Sequence, residues 1–412
     1  MANTINNIKE APGVIAKMAA QMLADKTQFC QSIDKAEVSD FDGKNGYRAG
    51  DSVTISKPAR FVPSTGADVT SAVQDVVEEK TTLPLDTRSV VPVQLNSEEV
   101  FTDLGLASWT KRVLDPAISS ISQDVESRFL QKAIDATYNS VGTAGSTNFD
   151  TDTILAAGQK INENACPDLD NRFVLLNPSA TRKAVDARKG LFNSSTEISD
   201  QYKKGYMGTA DGFDFLTNNL LSTHTNGTDV TGVAVNDGSV SEGASSIAVD
   251  GLDNTTGTIT KGTVFTIAGV FAVHPVTKAA LEHLQQFTAV SDVTANGSGE
   301  ATVAISPALY AGSNGLKNVS ALPANDAALA FVGAASTGYA QNLAYHKSAF
   351  RMVSVPLMLP QDAHLAAQET VDGMTVRVWL ASDILTDTMT ARIDFLGGLA
   401  SVRPEWAARI TA

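Results

Sequence analysis

Positive charge is scarce in this chain. Lys and Arg number 31 against 45 Asp and Glu, for a formal net charge of −14 over 412 residues. Tight binding to nucleic acid or to an anionic membrane is built from clustered basic residues, and no such cluster occurs. Cysteine is scarcer still. Cys30 and Cys166 stand far apart in no CxxC or Cys/His spacing, which argues against a disulfide framework or a zinc site and favours a reducing compartment. The five histidines form no HxH or HExxH, and His274 and His283 are nine apart, out of helical phase for one metal. Long apolar runs are missing too. Ala327–Ala335 is the longest when glycine is counted, about half of what a membrane-spanning helix needs. The N-terminal Met/Ala/Leu pattern is split by Lys17 and has no signal-peptide core, so a protein made in an aqueous cytoplasm is expected.

Catalytic signatures are equally thin. The Gly50–Ser52 turn has the look of a nucleophile elbow, but it lies inside an expected strand with no helix behind it. No glycine-rich phosphate cradle of either common type is present. Glu78–Glu79 and Glu98–Glu99 are sequence neighbours, so on a strand each pair would point to opposite faces. The pattern calls for no cofactor, no metal and no enzyme.

What is present is material for a large core, 43% apolar residues, enough for two or three domains. A helix is expected around Val14–Leu23. Two β-type runs, 47–61 and 89–95, flank a long charged stretch, which together describe an extended hairpin leaving the body. Residues 108–139 carry Trp109, Val113, Ala117, Ile121, Val125, Phe129 and Ala133 at a spacing of four, widened by Ile118, Leu130 and Ile134: one long helix, kinked or restarted at Pro116. Residues 151–192 read as helix, strand, helix, the last capped by Ser179.

Composition then shifts. Between Ser222 and Pro323 there is no Arg, with eight acidic residues and three Lys among Thr, Ser, Gly, Asn and Val. Short strands spaced by turns, with a hairpin loop at 295–300, predict a small antiparallel barrel or sandwich inserted in the host. Residues 274–286 are expected to form a short helix across it. Strands resume at 349–357, 374–384 and 389–411, the last turning at Gly397–Gly398.

Four stretches carry a family resemblance. FVLLNPSATRKAVDARKGLF (173–192) with GTADGFDFLTNNL (208–220), TKGTVFTIAGVFAVHP (260–275), NLAYHKSAFRMVSVPL (342–357) and FLGGLASVRPEWAARI (395–410) stand in the order found in the major capsid proteins of tailed bacteriophages. The chain resembles the coat-protein family of the short-tailed Salmonella transducing phage, of Hong Kong 97-type fold, from about residue 47 to the end.

The resemblance implies an α+β tailed-phage capsid fold. Its parts would be an N-terminal arm (1–46), an extended hairpin loop (47–98), a peripheral domain with a spine helix (99–150), an axial domain (151–221), an inserted β-barrel domain (222–324), the axial return (325–352), and peripheral strands to the C-terminus (353–412). It implies self-assembly into pentamers and hexamers of an icosahedral head shell in the virion, through a precursor that expands on packaging. Scaffolding and portal proteins are the implied partners; a decoration protein is left open. DNA would be enclosed without sequence-specific binding, and no membrane is involved. Tyr47, Arg48, Lys57, Arg60, Phe61, Glu78 and Glu79 on the hairpin are the candidate contacts between subunits. Asp237 and Glu242 join them on the loop 236–246, which is shorter than the family's and has no basic residue of its own. A secreted β-rich adhesin, which would need an export signal, and a hydrolase built on Asp51 or Ser52 are the alternatives.

Overall fold

A computed structural model describes residues 12–35, 52–57, 61, 73, 76, 78–96, 113–146, 151–167, 170–187, 208–312, 315–359, 365–383 and 388–411. The chain divides into two compact units. The first gathers Met1–Ile55, Thr81–Leu130 and Phe350–Ala400; the second gathers Ser56–Lys80, Gln131–Ala349 and Ser401–Ala412.

In the first unit the helix Pro12–Lys26 packs on the strands Leu365–Val371 and Met374–Asp383. Its buried residues Ala16, Ala19, Ala20, Leu23 and Ala24 follow the three-and-four spacing of one helical face. Four of the five are alanine, which brings the helix axis close to the sheet. That six-stranded sheet runs in the order Asp34–Lys35, Phe350–Ser354, Thr388–Ser401, Met374–Asp383, Leu365–Val371, with Thr87–Asn96 also paired to Thr388–Ser401.

Two expectations are corrected in this unit. The run 89–95 is not the second leg of the extended hairpin: Ser52–Ser56 pairs with Lys80–Pro84, while Thr87–Asn96 joins the main sheet over ten residues, from Thr87 opposite Gly397 to Asn96 opposite Thr388. Lys80–Pro84 was hidden by its polar, Pro-ended sequence. Nor does the chain turn at Gly397–Gly398. The strand Thr388–Ser401 passes straight through them, and the reversal comes at the 3-10 turn Pro404–Trp406. The glycines serve close approach instead: a Cβ on Gly398 would stand 1.9 Å from the Pro84 carbonyl oxygen.

The long helix runs Asp115–Ala136, with Pro116 in its first turn, where a missing N–H costs nothing. Val125, Phe129, Leu130, Ala133 and Ile134 are buried as the spacing predicts, whereas Trp109 lies outside the described residues. The stripe also hides a carboxylate. Glu126 is 2% exposed and accepts from the amides of Gln28 (3.2 Å) and Phe29 (3.0 Å), satisfying the first turn of the helix Gln28–Ser32, whose own Thr27 makes no side-chain cap.

The second unit holds a seven-stranded sheet with Ala407–Thr411, Gly338–His346 and Arg172–Leu176 at its centre. The helices Thr151–Glu163 and Pro178–Ala187 bury Ile154, Ala157, Ile161, Ala180 and Ala184 in its core. The cap of the second helix is Asn177, not Ser179: its Oδ1 accepts from the Ala180 amide at 2.6 Å. Pro178 then takes the first helical position.

The expected β-module is there, and it closes. Its sheet runs Ala234–Val235, Ala244–Asp250, Ala301–Leu309, Ala280–Ala289, Val264–Val273, Leu329–Phe331. The two ends meet through an Ala234–Ala328 bridge and the Val235 amide on the Ala327 carbonyl (3.0 Å), which makes a small antiparallel barrel. Its core, from Val233 through Phe265, Phe287 and Val303 to Leu329, is its own. The strand Leu329–Phe331 lies past residue 324, and the chain enters and leaves through paired strands, Thr225 opposite Gly338 and Thr223 opposite Ala340. The expected helix over 274–286 does not form. A turn capped by His274 Nδ1, which accepts from the amides of Val276 and Thr277 at 3.2 Å, leads into the strand Ala280–Ala289. Pairing with Val264–Val273, Phe287 opposite Phe265, overrides the helical propensity of ALEHLQQ.

Candidate assembly surfaces

Lys57 and Glu79 meet at the root of the hairpin. The Lys57 amide donates to the Glu79 carbonyl at 2.8 Å and the two side chains form an ion pair at 3.7 Å. Beyond them Phe61, Val73 and Val76 are 58%, 83% and 67% exposed, an apolar content that solvent alone does not favour. Glu78 is exposed. Tyr47, Arg48 and Arg60 lie outside the described residues.

Two of the candidates, Glu79 and Glu242, gather around Tyr310. Burial, then the charges of Glu79 and Glu242, push its phenol upward. Glu242 accepts from the amides of Gly312 (2.8 Å) and Ala311 (3.3 Å), tying its loop to the end of the barrel strand. Asp237 is not brought to this group; it turns its own loop by accepting from the Ser239 amide at 2.9 Å. A cleft of about 180 Å³ beside Lys57 and Glu79 is lined by Lys317, Glu405, Tyr138 and Gln285 among others, with no His, Cys or Asp among the described residues.

The seam between barrel and host sheet is built on a residue that sequence reasoning passed over. Arg409 is 1% exposed, and burial lowers its pKa to about 10 against the counter-effect of Asp135. It donates to the carbonyls of Gly262 (2.6 Å), Thr137 (2.7 Å) and Asp135 (3.4 Å) and to Thr288 Oγ1 (3.2 Å). One guanidinium thus joins the last strand, the end of the long helix and two barrel strands or their turns. Lys261 pairs with the Asp135 carboxylate at 3.7 Å. Gly262 has φ +85°, and a Cβ there would stand 2.7 Å from Asp135 Oδ1. Gln286 adds a two-way bond to the backbone of Ser140, 2.9 Å each way. The signal in the sequence was a lone charge in the apolar run AARIT.

None of this is a catalytic constellation. Cys30 is fully buried and its thiol is pushed far above the ordinary range, first by burial. His224 is buried against Thr263 (3.2 Å), and His283 faces Glu163 at 3.7 Å. His364 lies outside the described residues. Among the described residues no group of His, Cys, Asp and Glu could hold a metal. No described helix is long and apolar enough to cross a membrane.

The family model described as P22 coat protein, gene protein 5, matches residues 21–409. The chain belongs to the P22 coat protein family. It is a major capsid protein of a phage virion, a structural protein and not an enzyme, and copies of it assemble into the head shell. The coat protein is similar in structure to a chain from Mycobacterium phage Che8, with 12% identity, a TM-score of 0.47, and coverage of 93% of this chain and 90% of that one. It is similar to the mature capsid of bacteriophage PhiM1 at 10% identity and a TM-score of 0.45, covering 93% and 86%. The CUS-3 coat protein I-domain matches 25% of the coat protein and 96% of its own length, at 21% identity and a TM-score of 0.19. No curated protein matches in sequence. The hydrolase and adhesin alternatives fall with the family assignment. The coat protein has the expected α+β fold with an inserted β-domain.

Proposed function

We propose that the coat protein builds a precursor shell in the host cytoplasm with a scaffolding protein and a portal, and that this shell expands as DNA is packaged; a decoration protein stays open. The parts would be those named above, from the arm 1–46 and hairpin 47–98 to the insertion 222–324 and the peripheral strands 353–412. The hairpin is the reaching element. Tyr47, Arg48, Lys57, Arg60, Phe61, Glu78 and Glu79 meet a neighbouring subunit by strand addition and charge pairing, and Asp237 and Glu242 face Lys or Arg of a second neighbour. Weak individual contacts allow misplaced subunits to leave before closure.

The observation that carries this reading is the exposure of Phe61, Val73 and Val76 above a root held by Lys57 and Glu79. Those side chains gain most by burial in another copy. The net charge of −14 suits a wall that confines packed DNA without holding it. Electron microscopy of the purified chain with its scaffolding protein tests the reading: closed shells are expected, and replacement of 61–77 by a short linker should leave only small species. Uniform shells from that shortened chain would overturn the role of the hairpin.

A further inference from the structure

Asn-Gly pairs stand at 45–46, 226–227, 296–297 and 314–315; Asn45 and Asn314 lie outside the described residues. The other two pairs are held in opposite ways. Asn226 is 3% exposed and spends its Nδ2 on the carbonyls of Val332 (2.9 Å) and Ala334 (3.2 Å). Gly227 is pressed against the Thr258 carbonyl, where a Cβ would stand 2.0 Å from the oxygen. That side chain is neither free to turn nor open to water. Asn296 and Gly297 are exposed, in the loop between the strands Val293–Thr294 and Ala301–Leu309. Nothing lies within 4 Å of a Cβ built on Gly297, and its N–H has no acceptor among the described residues.

The Asn296 side chain is folded back over that free amide. Its Oδ1 accepts from the amides of Ser298 (2.9 Å) and Glu300 (3.0 Å), while Nδ2 donates to Glu300 Oε2 (3.3 Å). The ring closed by the Ser298 bond contains both Gly297 N and Asn296 Cγ, the two atoms that join when an asparagine cyclises to an imide. The Ser298 and Glu300 amides also stand where negative charge gathers on Oδ1 during that attack, an arrangement that lowers the barrier of acyl transfer. The frame around them is fixed: Asn296 N donates to the Glu300 carbonyl and Gly299 N to the Asn296 carbonyl, each at 2.9 Å.

We propose that Asn296 is a site of spontaneous deamidation, which the fold leaves open there and closes at Asn226. Gly297 N gives its proton to water and bonds to Asn296 Cγ; the Cγ–Nδ2 bond breaks, and ammonia leaves with a proton taken from water. A second water opens the imide at either carbonyl and leaves aspartate or isoaspartate. The product has a new carboxylate beside Glu300, whose Oε1 also accepts from Asn236 Nδ2 (3.4 Å). Like charges then meet where the loop 236–246 is tied to this one. A shell that has left its host replaces none of its subunits, so the change accumulates with the age of the particle.

Peptide mapping by mass spectrometry tests it, on the full-length chain aged at mildly alkaline pH with a parallel sample in urea. In the folded chain Asn296 should convert at least about tenfold faster than Asn226. In urea the two rates should converge, because only the sequence neighbours then act. Gly297→Ala, whose Cβ has open space around it, should keep the parent's melting midpoint before ageing and slow Asn296 by about tenfold. Aspartate and isoaspartate should both be found. A folded Asn296 as slow as Asn226, or slower by more than about tenfold than in urea, would overturn the proposal. So would equal rates in the parent and Gly297→Ala, since Gly297 N would then not be the attacking atom. Aspartate without isoaspartate would mean direct hydrolysis and would overturn the cyclic route.

Discussion

The Arg409 guanidinium donates to the Gly262 carbonyl at 2.6 Å, across 147 residues of sequence. The same cation reaches Thr137 and Asp135 at the end of the long helix, so the inserted barrel, the helix and the C-terminal strand are fixed by one buried side chain. A charge so placed is costly unless every N–H finds an acceptor, and here the acceptors come from three separate stretches of chain.

Arg409→Ala should therefore cost about 3–5 kcal/mol, the usual penalty for breaking a buried charged network. Arg409→Lys, which keeps the charge but loses the fork, should cost less. Urea unfolding of the unassembled chain measures both. A midpoint for Arg409→Ala equal to the parent's would show that the seam is held by Gln286 and Thr288 without it.

His224 gives the same seam a pH dependence. Burial first, then the Arg409 charge, lower its pKa from 6.5 to about 4. Between those values the unfolded chain takes up a proton that the folded chain refuses. Stability falls as pH drops through this window, by up to about 1.4 kcal/mol per pH unit, and levels off below about 4. Asp135, whose carboxyl is raised by burial, acts in the opposite direction in the carboxylate range. Thermal melts from pH 7 to 4 should show the loss in the parent and a shallower slope in His224→Gln. Equal slopes would remove His224 from the account.

Gly398→Ala should destabilise the first unit by about 3 kcal/mol, as overpacking does. Its new Cβ would stand 1.9 Å from the backbone oxygen of Pro84, which cannot swing aside as a side chain could. Gly212→Ala is the control: nothing lies within 4 Å of that site, although its φ of +77° adds a backbone cost of about 1 kcal/mol. Melting midpoints of the two variants should therefore separate, and identical values would deny that the strand crossing is tight.

Residues 226–337 expressed alone should unfold cooperatively. The barrel core draws every buried member from within Val233–Leu329, and the sheet is closed on itself. A single sigmoidal urea transition would bear this out; a gradual, non-cooperative loss of signal would mean that the barrel depends on the Arg409 seam to fold.

Much of this architecture was readable because its signals are local and periodic. The stripe from Ala117 to Ala133, the helix–strand–helix of 151–192 and the compositional break at Ser222 each follow from residues near one another in the chain. The errors arose where a distant partner decides. ALEHLQQ favours a helix until Phe265 stands opposite Phe287. Gly397–Gly398 looks like a turn until Pro84 passes beside it, and KTTLP looks like loop until Ser52–Ser56 pairs with it. Arg409 offers only a lone charge in an apolar run, since what distinguishes it is which backbone carbonyls the fold delivers to it.

The two threads by which the barrel joins its host leave side by side, Thr225 opposite Gly338. From the host's viewpoint the insertion is thus a single loop whose ends never need to be respaced, whatever hangs from them. A cassette of different size, an antigen or a reporter, could be carried at this junction on every tile of the container, provided that it brings a substitute for the acceptors Arg409 would lose.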